Sequence, residues 1–118
     1  MSGTKSAFNV ADAMGRLMNN KNLYTKLLGK FAADYGGFAD QVLAAVKAEN
    51  LDEAVHLAHT MKGLAGNLGA DDLQAASRDL EAFLKNGGNV SEAGSLVEKF
   101  TAELQRALQE VRDGVDLG

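Results

Sequence analysis

His59 is one of two histidines in the chain, and its surroundings would suit phosphoryl or metal chemistry. An imidazole can act as a nucleophile, a base or a metal ligand near neutral pH. At about 100° per residue, five apolar side chains of residues 51–68 fall on one side of a helix, and His59 points away from them. These five are Ala54, Leu57, Met61, Ala65 and Leu68. Gly63 and Gly66 fall within about 40° of His59, with Lys62 nearby. The imidazole is therefore expected on an exposed face with few neighbouring side chains.

The two glycines are an unusual choice for an exposed helical face. Each interior glycine costs a helix about 1 kcal/mol relative to alanine. Without Cβ atoms beside His59, the surface of another protein could approach the imidazole, so Gly63 and Gly66 are assigned to a docking surface. Val55, one turn before His59, adds a small apolar contact to that surface. The alternative is that both glycines serve close helix packing, although they lie opposite the predicted apolar face.

The segment from His59 to Ala70 reads HTMKGLAGNLGA, and it resembles the phosphorylation-site segment of histidine-containing phosphotransfer (Hpt) domains. Downstream, Leu80 and Glu81 also fit the family's pattern. The resemblance implies that His59 accepts a phosphoryl group from a receiver-domain aspartyl phosphate and passes it to another receiver aspartate. It implies a phosphocarrier in a multistep two-component phosphorelay, without turnover of its own and without a resident cofactor. Any Mg²⁺ would belong to the receiver.

Two charged residues are expected to assist His59 in such a transfer. Lys62, three residues on, lies on the same side of the helix and can offset the negative charge of the phosphoryl oxygens. If the chain turns near Gly69 and Ala70, His59 and Glu81 are equally far from the turn and lie at the same height. The Glu81 carboxylate can then accept a hydrogen bond from Nδ1, which fixes the tautomer and leaves Nε2 to attack.

Other polar residues nearby receive weaker roles. His56 lacks the glycine neighbours and is read as a surface residue, while Arg78 and Lys85 point more towards water and are read as partner contacts. Glu53 and His56 do form the Glu-x-x-His pattern of di-iron carboxylate proteins. That design needs the pattern on two helices facing inward, whereas both histidines here lie on one helix and point outward. A metal-binding bundle is the weaker alternative.

A helical adaptor or dimerisation module without phosphoryl transfer is a second alternative, because it would share the same fold. The presence of His59 together with Lys62 favours the phosphocarrier. The chain has no glycine-rich phosphate loop followed by Lys-Ser or Lys-Thr, so self-phosphorylation from ATP is not expected.

The elements that must position these residues are predicted to be helices, because the chain has no proline and its glycines recur where helices would end. Asn50, followed three residues later by Glu53, marks a helix start. Short connections make consecutive helices antiparallel, so the predicted fold is all-α: an antiparallel up-down four-helix bundle with additional N-terminal helices packed alongside. Apolar spacing of three and four predicts helices at about 9–18, 21–34, 38–49, 51–68, 70–86 and 91–112.

The overall composition supports a single domain. The chain has 118 residues, of which 46% are hydrophobic and 24% charged. Residues 1–7 are expected to be a flexible N-terminal segment and residues 8–118 the Hpt domain. Twelve Lys and Arg against 16 Asp and Glu give a formal net charge of −4, which argues against nucleic acid or anionic membranes as partners.

The absence of certain features narrows the function further. There is no cysteine, which excludes disulfides, thiolate nucleophiles and cysteine-ligated metals. No apolar run is long enough to span a membrane, and the first residues lack the apolar core of a signal peptide. The expectation is a cytoplasmic monomer that meets response-regulator receiver domains, either free-standing or fused to a hybrid sensor kinase.

Overall fold

Within the part of the chain that the structure describes, apolar residues spaced three and four apart lie in six α-helices, as predicted. The computed structural model describes residues 6–115 and 117, apart from the side chain of Ser91, and all regular elements within these residues are helical. None of the helices in this part of the chain is both long and apolar enough to cross a membrane. The helices are α1 (Val10–Arg16), α2 (Lys21–Asp34), α3 (Phe38–Lys47), α4 (Leu51–Leu68), α5 (Asp71–Lys85) and α6 (Gly94–Asp113), with a 3-10 turn at Val90–Glu92.

The last four helices form the bundle. Helix α4 packs along α5, α5 packs against α6, and α3 packs against both α4 and α6. The first two helices lie alongside: α1 contacts α4 and α2, while α2 also contacts α4 and α6. The prediction of a four-helix bundle with additional N-terminal helices is confirmed.

Helices α2 and α4 have the predicted bounds, but α1 and α3 end two residues early. Met18 and Asn19, just after α1, have φ angles of +55° and +61°. Glu49, expected inside α3, has φ of +55°, and that helix ends at Lys47. Residues that carry a side chain rarely adopt this left-handed backbone conformation, and it does not fit a right-handed helix. Each helix therefore ends before these residues.

The N-terminal end of α4 is capped as the sequence predicts. The side-chain oxygen of Asn50 accepts a hydrogen bond from the Glu53 N–H at 3.2 Å. Asp52 and Glu53 place negative charge in the first turn, where the helix dipole favours it. These interactions fix the start of the helix that carries His59.

The C-terminal end of α4 is held by its neighbours. Gly69 has φ of +76°, a conformation that suits glycine, and its carbonyl accepts a hydrogen bond from the Asn9 N–H at 2.6 Å. The buried hydroxyl of Tyr24 donates to the Leu68 carbonyl at 2.7 Å. Two carbonyls that the helix leaves unpaired are thereby satisfied, and the turn into α5 is fixed.

The inner face of α4 holds it against the bundle. Its predicted apolar residues are all buried, and each fully buried large side chain contributes roughly 1.5–3 kcal/mol relative to an exposed one. Leu23 on α2 and Leu43 on α3, although apolar, are each 39% exposed. The buried apolar residues predicted on α4 are Ala54, Leu57, Met61, Ala65 and Leu68.

The segment before α1 packs more closely than predicted. Of the residues assigned to a flexible segment, residues 1–5 lie outside the described residues, but Ser6 and Ala7 contact the bundle. The Ser6 hydroxyl donates to one carboxylate oxygen of Glu110, and the Ala7 N–H donates to the other at 2.7 Å. Ala7 and Phe8 are buried. Residues 6 and 7 are therefore part of the packed structure.

Candidate functional site

His59 lies near the middle of α4 with its side chain 65% exposed. Alanines and leucines on the opposite side of the helix hold α4 against the core, so the imidazole takes no part in packing. A histidine in this position can meet another protein without any rearrangement of the bundle.

Glu81, on α5, pairs with the Nδ1 atom of the imidazole. Its Oε2 atom lies 2.8 Å from His59 Nδ1, and its side chain is only 6% exposed. The pairing follows from the antiparallel register of α4 and α5, in which Gly66 meets Gln74 nearer the turn. The two helices thus bring together two residues that are 22 positions apart in the chain.

Lys62 occupies the second oxygen of the same carboxylate. Its Nζ lies 2.7 Å from Glu81 Oε1, and its side chain is 33% exposed. Lys85, one turn after Glu81 on α5, places its own Nζ 3.9 Å from Oε2. The pairing of Lys62 with Glu81 was not predicted from the sequence, although the shared height of His59 and Glu81 places Lys62 within reach of the same carboxylate.

These contacts determine the charge on Glu81. The hydrogen bond from Lys62 lowers the pKa of Glu81 below its usual value, and the hydrogen bond with His59 and the charges of both partners act in the same direction, while burial opposes them. Glu81 is therefore ionised near neutral pH and can only accept hydrogen bonds. His59 must then donate from Nδ1, so in the neutral imidazole the lone pair lies on Nε2.

A family model for the Hpt domain matches residues 26–114, which include His59, Lys62 and Glu81. The chain belongs to the Hpt domain family. This confirms the resemblance seen in the sequence. Domains of this family act in histidine phosphotransfer within phosphorelays, as phosphocarriers rather than kinases.

One solved structure gives the same fold independently. The HPT domain from the Hpt sensor hybrid histidine kinase of Shewanella matches with a TM-score of 0.83, over 91% of this chain and 92% of that one. The two sequences are 15% identical, so this likeness concerns the fold. No curated protein matched the chain.

The surface of this Hpt domain beside His59 differs in part from the predicted docking surface. Gly63 is exposed, and a Cβ atom there would meet nothing within 4 Å beyond its chain neighbours and the backbone of its own helix. Val55, expected to be exposed, is half-buried and packs against the core. The open approach to the imidazole is therefore provided by Gly63.

Gly66 was expected beside His59 on the exposed face, and this expectation is wrong. Gly66 is buried, and a Cβ atom there would lie 2.5 Å from the side-chain Nε2 of Gln74 on α5. Its missing side chain leaves room for Gln74 and not for an incoming protein. Close helix packing, the alternative considered for this glycine, is what the structure contains.

A cationic recess adjoins the His59 site, and Arg78 and Lys85 contribute to it. Both side chains are largely exposed, at 64% and 59%. The recess has a volume of about 240 Å³ and is lined by Lys62, Arg78, Glu81, Ala82, Lys85 and Asn86.

The metal-binding alternative gains no support from the described residues. Within residues 6–115 and 117, no three His, Asp or Glu side chains are grouped so that they could hold a metal ion. Glu53 and His56, which form the Glu-x-x-His pattern, are both exposed on the surface of α4.

Proposed function

We propose that His59 is the phospho-acceptor of this Hpt domain. It accepts a phosphoryl group from an aspartyl phosphate on a receiver domain and passes it to the aspartate of another receiver. The observation that carries this proposal is the division of the imidazole into two environments. Nδ1 is held at 2.8 Å by a buried carboxylate, while the side chain as a whole is 65% exposed.

In the proposed reaction, the Nε2 lone pair of His59 attacks the phosphorus of the acyl phosphate. The N–P bond forms as the bond between phosphorus and the aspartyl oxygen breaks, and the aspartate leaves with that electron pair as a carboxylate. Because Nδ1 keeps its proton, the imidazole ring becomes a cation. The ionised Glu81 beside Nδ1 stabilises this charge, and the reverse steps return the phosphoryl group to a second receiver.

Lys62 is proposed to stabilise the phosphoryl oxygens electrostatically. It lies one turn from His59 on the same helix, and its four-carbon stem allows the ammonium group to move within the site. The role does not require Lys62 to gain or lose a proton. Any Mg²⁺ that takes part is assigned to the receiver, and the domain itself is proposed to need no cofactor.

The receiver is proposed to approach over Gly63. A receiver must bring its aspartate within bonding distance of Nε2, so the two protein surfaces need close contact around His59. The open space at Gly63 permits this approach, and the half-buried Val55 offers an apolar edge. Gly66 is not included in this surface.

The test is transfer from a receiver carrying a radiolabelled aspartyl phosphate. The domain should acquire label that is lost in acid and stable in base, as expected for phosphohistidine. The His59→Gln variant should acquire none while keeping its helical circular dichroism spectrum. His56→Gln is the matched control, because His56 is an exposed histidine on the same helix. Failure of the domain to accept label from a panel of receivers would instead favour a helical adaptor.

A further inference from the structure

Glu81 pairs with two residues of the site, His59 and Lys62. Phosphorylation of His59 would change the pairing with Lys62. In the structure, Lys62 and His59 each occupy one oxygen of this 6% exposed carboxylate. The proposed function of His59, on which this inference rests, adds a phosphoryl group within reach of Lys62. An ammonium group drawn to a second anion holds the first less tightly. Glu81 would then lose part of the strongest interaction that keeps it ionised.

A buried carboxylate without a full set of partners is unfavourable, because desolvation is no longer compensated. Without Lys62, the imidazole of His59 would be the main remaining partner of this buried carboxylate. A further cation near Glu81 would restore the compensation. The described side chains offer one that already lies at the edge of ion-pair distance.

That cation is Lys85. Its Nζ lies 3.9 Å from Glu81 Oε2, compared with 2.7 Å between Lys62 and Oε1. Lys85 lies one helical turn after Glu81 and lines the same recess as Lys62. Its side chain is 59% exposed, so it can rotate inward without disturbing the core. Arg78 is less suited, because its Nε lies 3.7 Å from the carboxylate of Asp79.

We propose that Lys85 is a positioning residue that moves onto Glu81 when the phosphoryl group on His59 attracts Lys62. The resting domain pairs Glu81 with Lys62, and the phosphorylated domain pairs it with Lys85. The exchange keeps the carboxylate compensated in both states. Lys85 acts through Glu81 and does not itself touch the phosphoryl group.

The experiment measures the equilibrium of phosphoryl transfer between a radiolabelled receiver and the full 118-residue domain. Lys85→Met keeps the aliphatic stem and removes the charge. It should lower the ratio of phosphohistidine to receiver phosphoaspartate by about two- to fivefold, the size expected for a largely exposed ion pair. Lys85→Arg should restore the ratio. The thermal unfolding of the unphosphorylated domain should change little.

A second comparison tests the exchange itself. In a Lys62→Met background, Lys85 is the remaining lysine near Glu81 both before and after phosphorylation. Adding Lys85→Met to this background should therefore change the transfer ratio much less than it does in the wild type. An equal effect in both backgrounds would overturn the proposal, because Lys85 would then act independently of Lys62.

Lys99→Met is the matched control. Lys99 is also an exposed lysine paired four residues along its helix, at 3.2 Å from Glu103 on α6. An equal loss in this variant would overturn the proposal by showing an effect of net charge alone. An unchanged ratio for Lys85→Met, with normal labelling of the wild type, would overturn this inference and leave His59 as the acceptor. No label on the wild type would overturn both.

Discussion

Lys62 and Glu81 form an ion pair of 2.7 Å that joins α4 to α5 immediately beside His59. The partners come from facing helices, and the carboxylate also accepts the hydrogen bond from the imidazole. In the proposed phosphoryl transfer, Lys62 would therefore have two effects: it supplies a positive charge to the phosphoryl oxygens, and it keeps Glu81 ionised.

Removing Lys62 should slow phosphoryl transfer to His59. Lys62→Ala removes the charge proposed to stabilise the phosphoryl oxygens, and losing one hydrogen bond between charged groups in the transition state, about 1.5–3 kcal/mol, corresponds to at least a tenfold lower rate. Rapid-quench measurement with a phosphorylated receiver gives the rate, and the half-life of the isolated phosphohistidine should also shorten. Lys99→Ala controls for the loss of one positive charge. Unchanged rate and half-life would contradict the role assigned to Lys62.

The lowered pKa of Glu81 predicts how stability depends on pH. Because the folded state holds this carboxylate ionised, mainly through Lys62, the unfolded state binds a proton more readily. The contribution is therefore complete above the ordinary glutamate pKa of 4.5 and is lost as pH falls through the lower value of the folded state.

Glu81→Gln removes this titration while keeping the shape of the side chain. Wild type should be more stable than the variant at pH 7, and the difference should shrink as the pH is lowered below about 4.5. Urea denaturation at a series of pH values measures the difference. Glu98→Gln, at an exposed glutamate on α6, is the control. A constant difference at all pH values would exclude Glu81 as the source.

Tyr24 should stabilise the C-terminal end of α4. Tyr24→Phe leaves the buried Leu68 carbonyl without its 2.7 Å hydrogen bond, and we expect a loss of about 1–3 kcal/mol in the free energy of unfolding. Burial, together with the nearby charge of Glu110, raises the pKa of Tyr24 to about 12. The folded state thus favours the neutral phenol, and this contribution is lost as pH rises from about 10 towards 12.

Chemical denaturation at pH 7 and pH 11 tests both statements about Tyr24. The gap between wild type and Tyr24→Phe should be smaller at the higher pH. Tyr35→Phe is the control, because Tyr35 is half-buried and its stacking on Phe31 would be retained by phenylalanine. Equal losses in the two variants would show that the hydrogen bond to Leu68 is not responsible.

Helix periodicity and capping residues predicted most of the fold, because they depend on local sequence. The bounds of α2 and α4 follow from their caps, at Asn20 and Asn50, and from regular apolar spacing. The start of α6 was placed three residues early. A 3-10 turn at Val90–Glu92 precedes it, and such a turn has nearly the same sequence signature as the first turn of an α-helix.

The site was predictable where it depends on register and unpredictable where it depends on packing around the helix. His59 and Glu81 are the same number of residues from the turn between α4 and α5, and this was enough to predict their pairing. The burial of Gly66 was missed because a helical wheel locates the buried face from apolar side chains, and glycine has no side chain to contribute. Neighbouring helices cover a wider arc of α4 than those side chains indicate, and Ala58 is also completely buried. The partner of Lys62 was also not predictable, because it depends on the conformation of a flexible side chain and on the residues around it.

The open space at Gly63 gives the sharpest test of how a receiver reaches His59. Gly63→Gln replaces an exposed glycine inside a helix with a residue of better helix propensity, so the free energy of unfolding should rise by up to about 1 kcal/mol. The new side chain would project into open space, because the Cβ position has nothing within 4 Å beyond its chain neighbours and the backbone of its own helix. Phosphoryl transfer from the receiver should fall at least tenfold, because close approach is blocked.

Gly29→Gln is the matched control for this substitution. Gly29 is also an exposed glycine within a helix, with open space around a Cβ atom, but it lies on α2 beside the C-terminal residues Val111 and Val115. It should gain similar stability and transfer normally. A small phosphoryl donor would separate docking from chemistry, since it should label Gly63→Gln as well as it labels the wild type. Normal transfer from the receiver to Gly63→Gln would show that receivers reach the imidazole from another side.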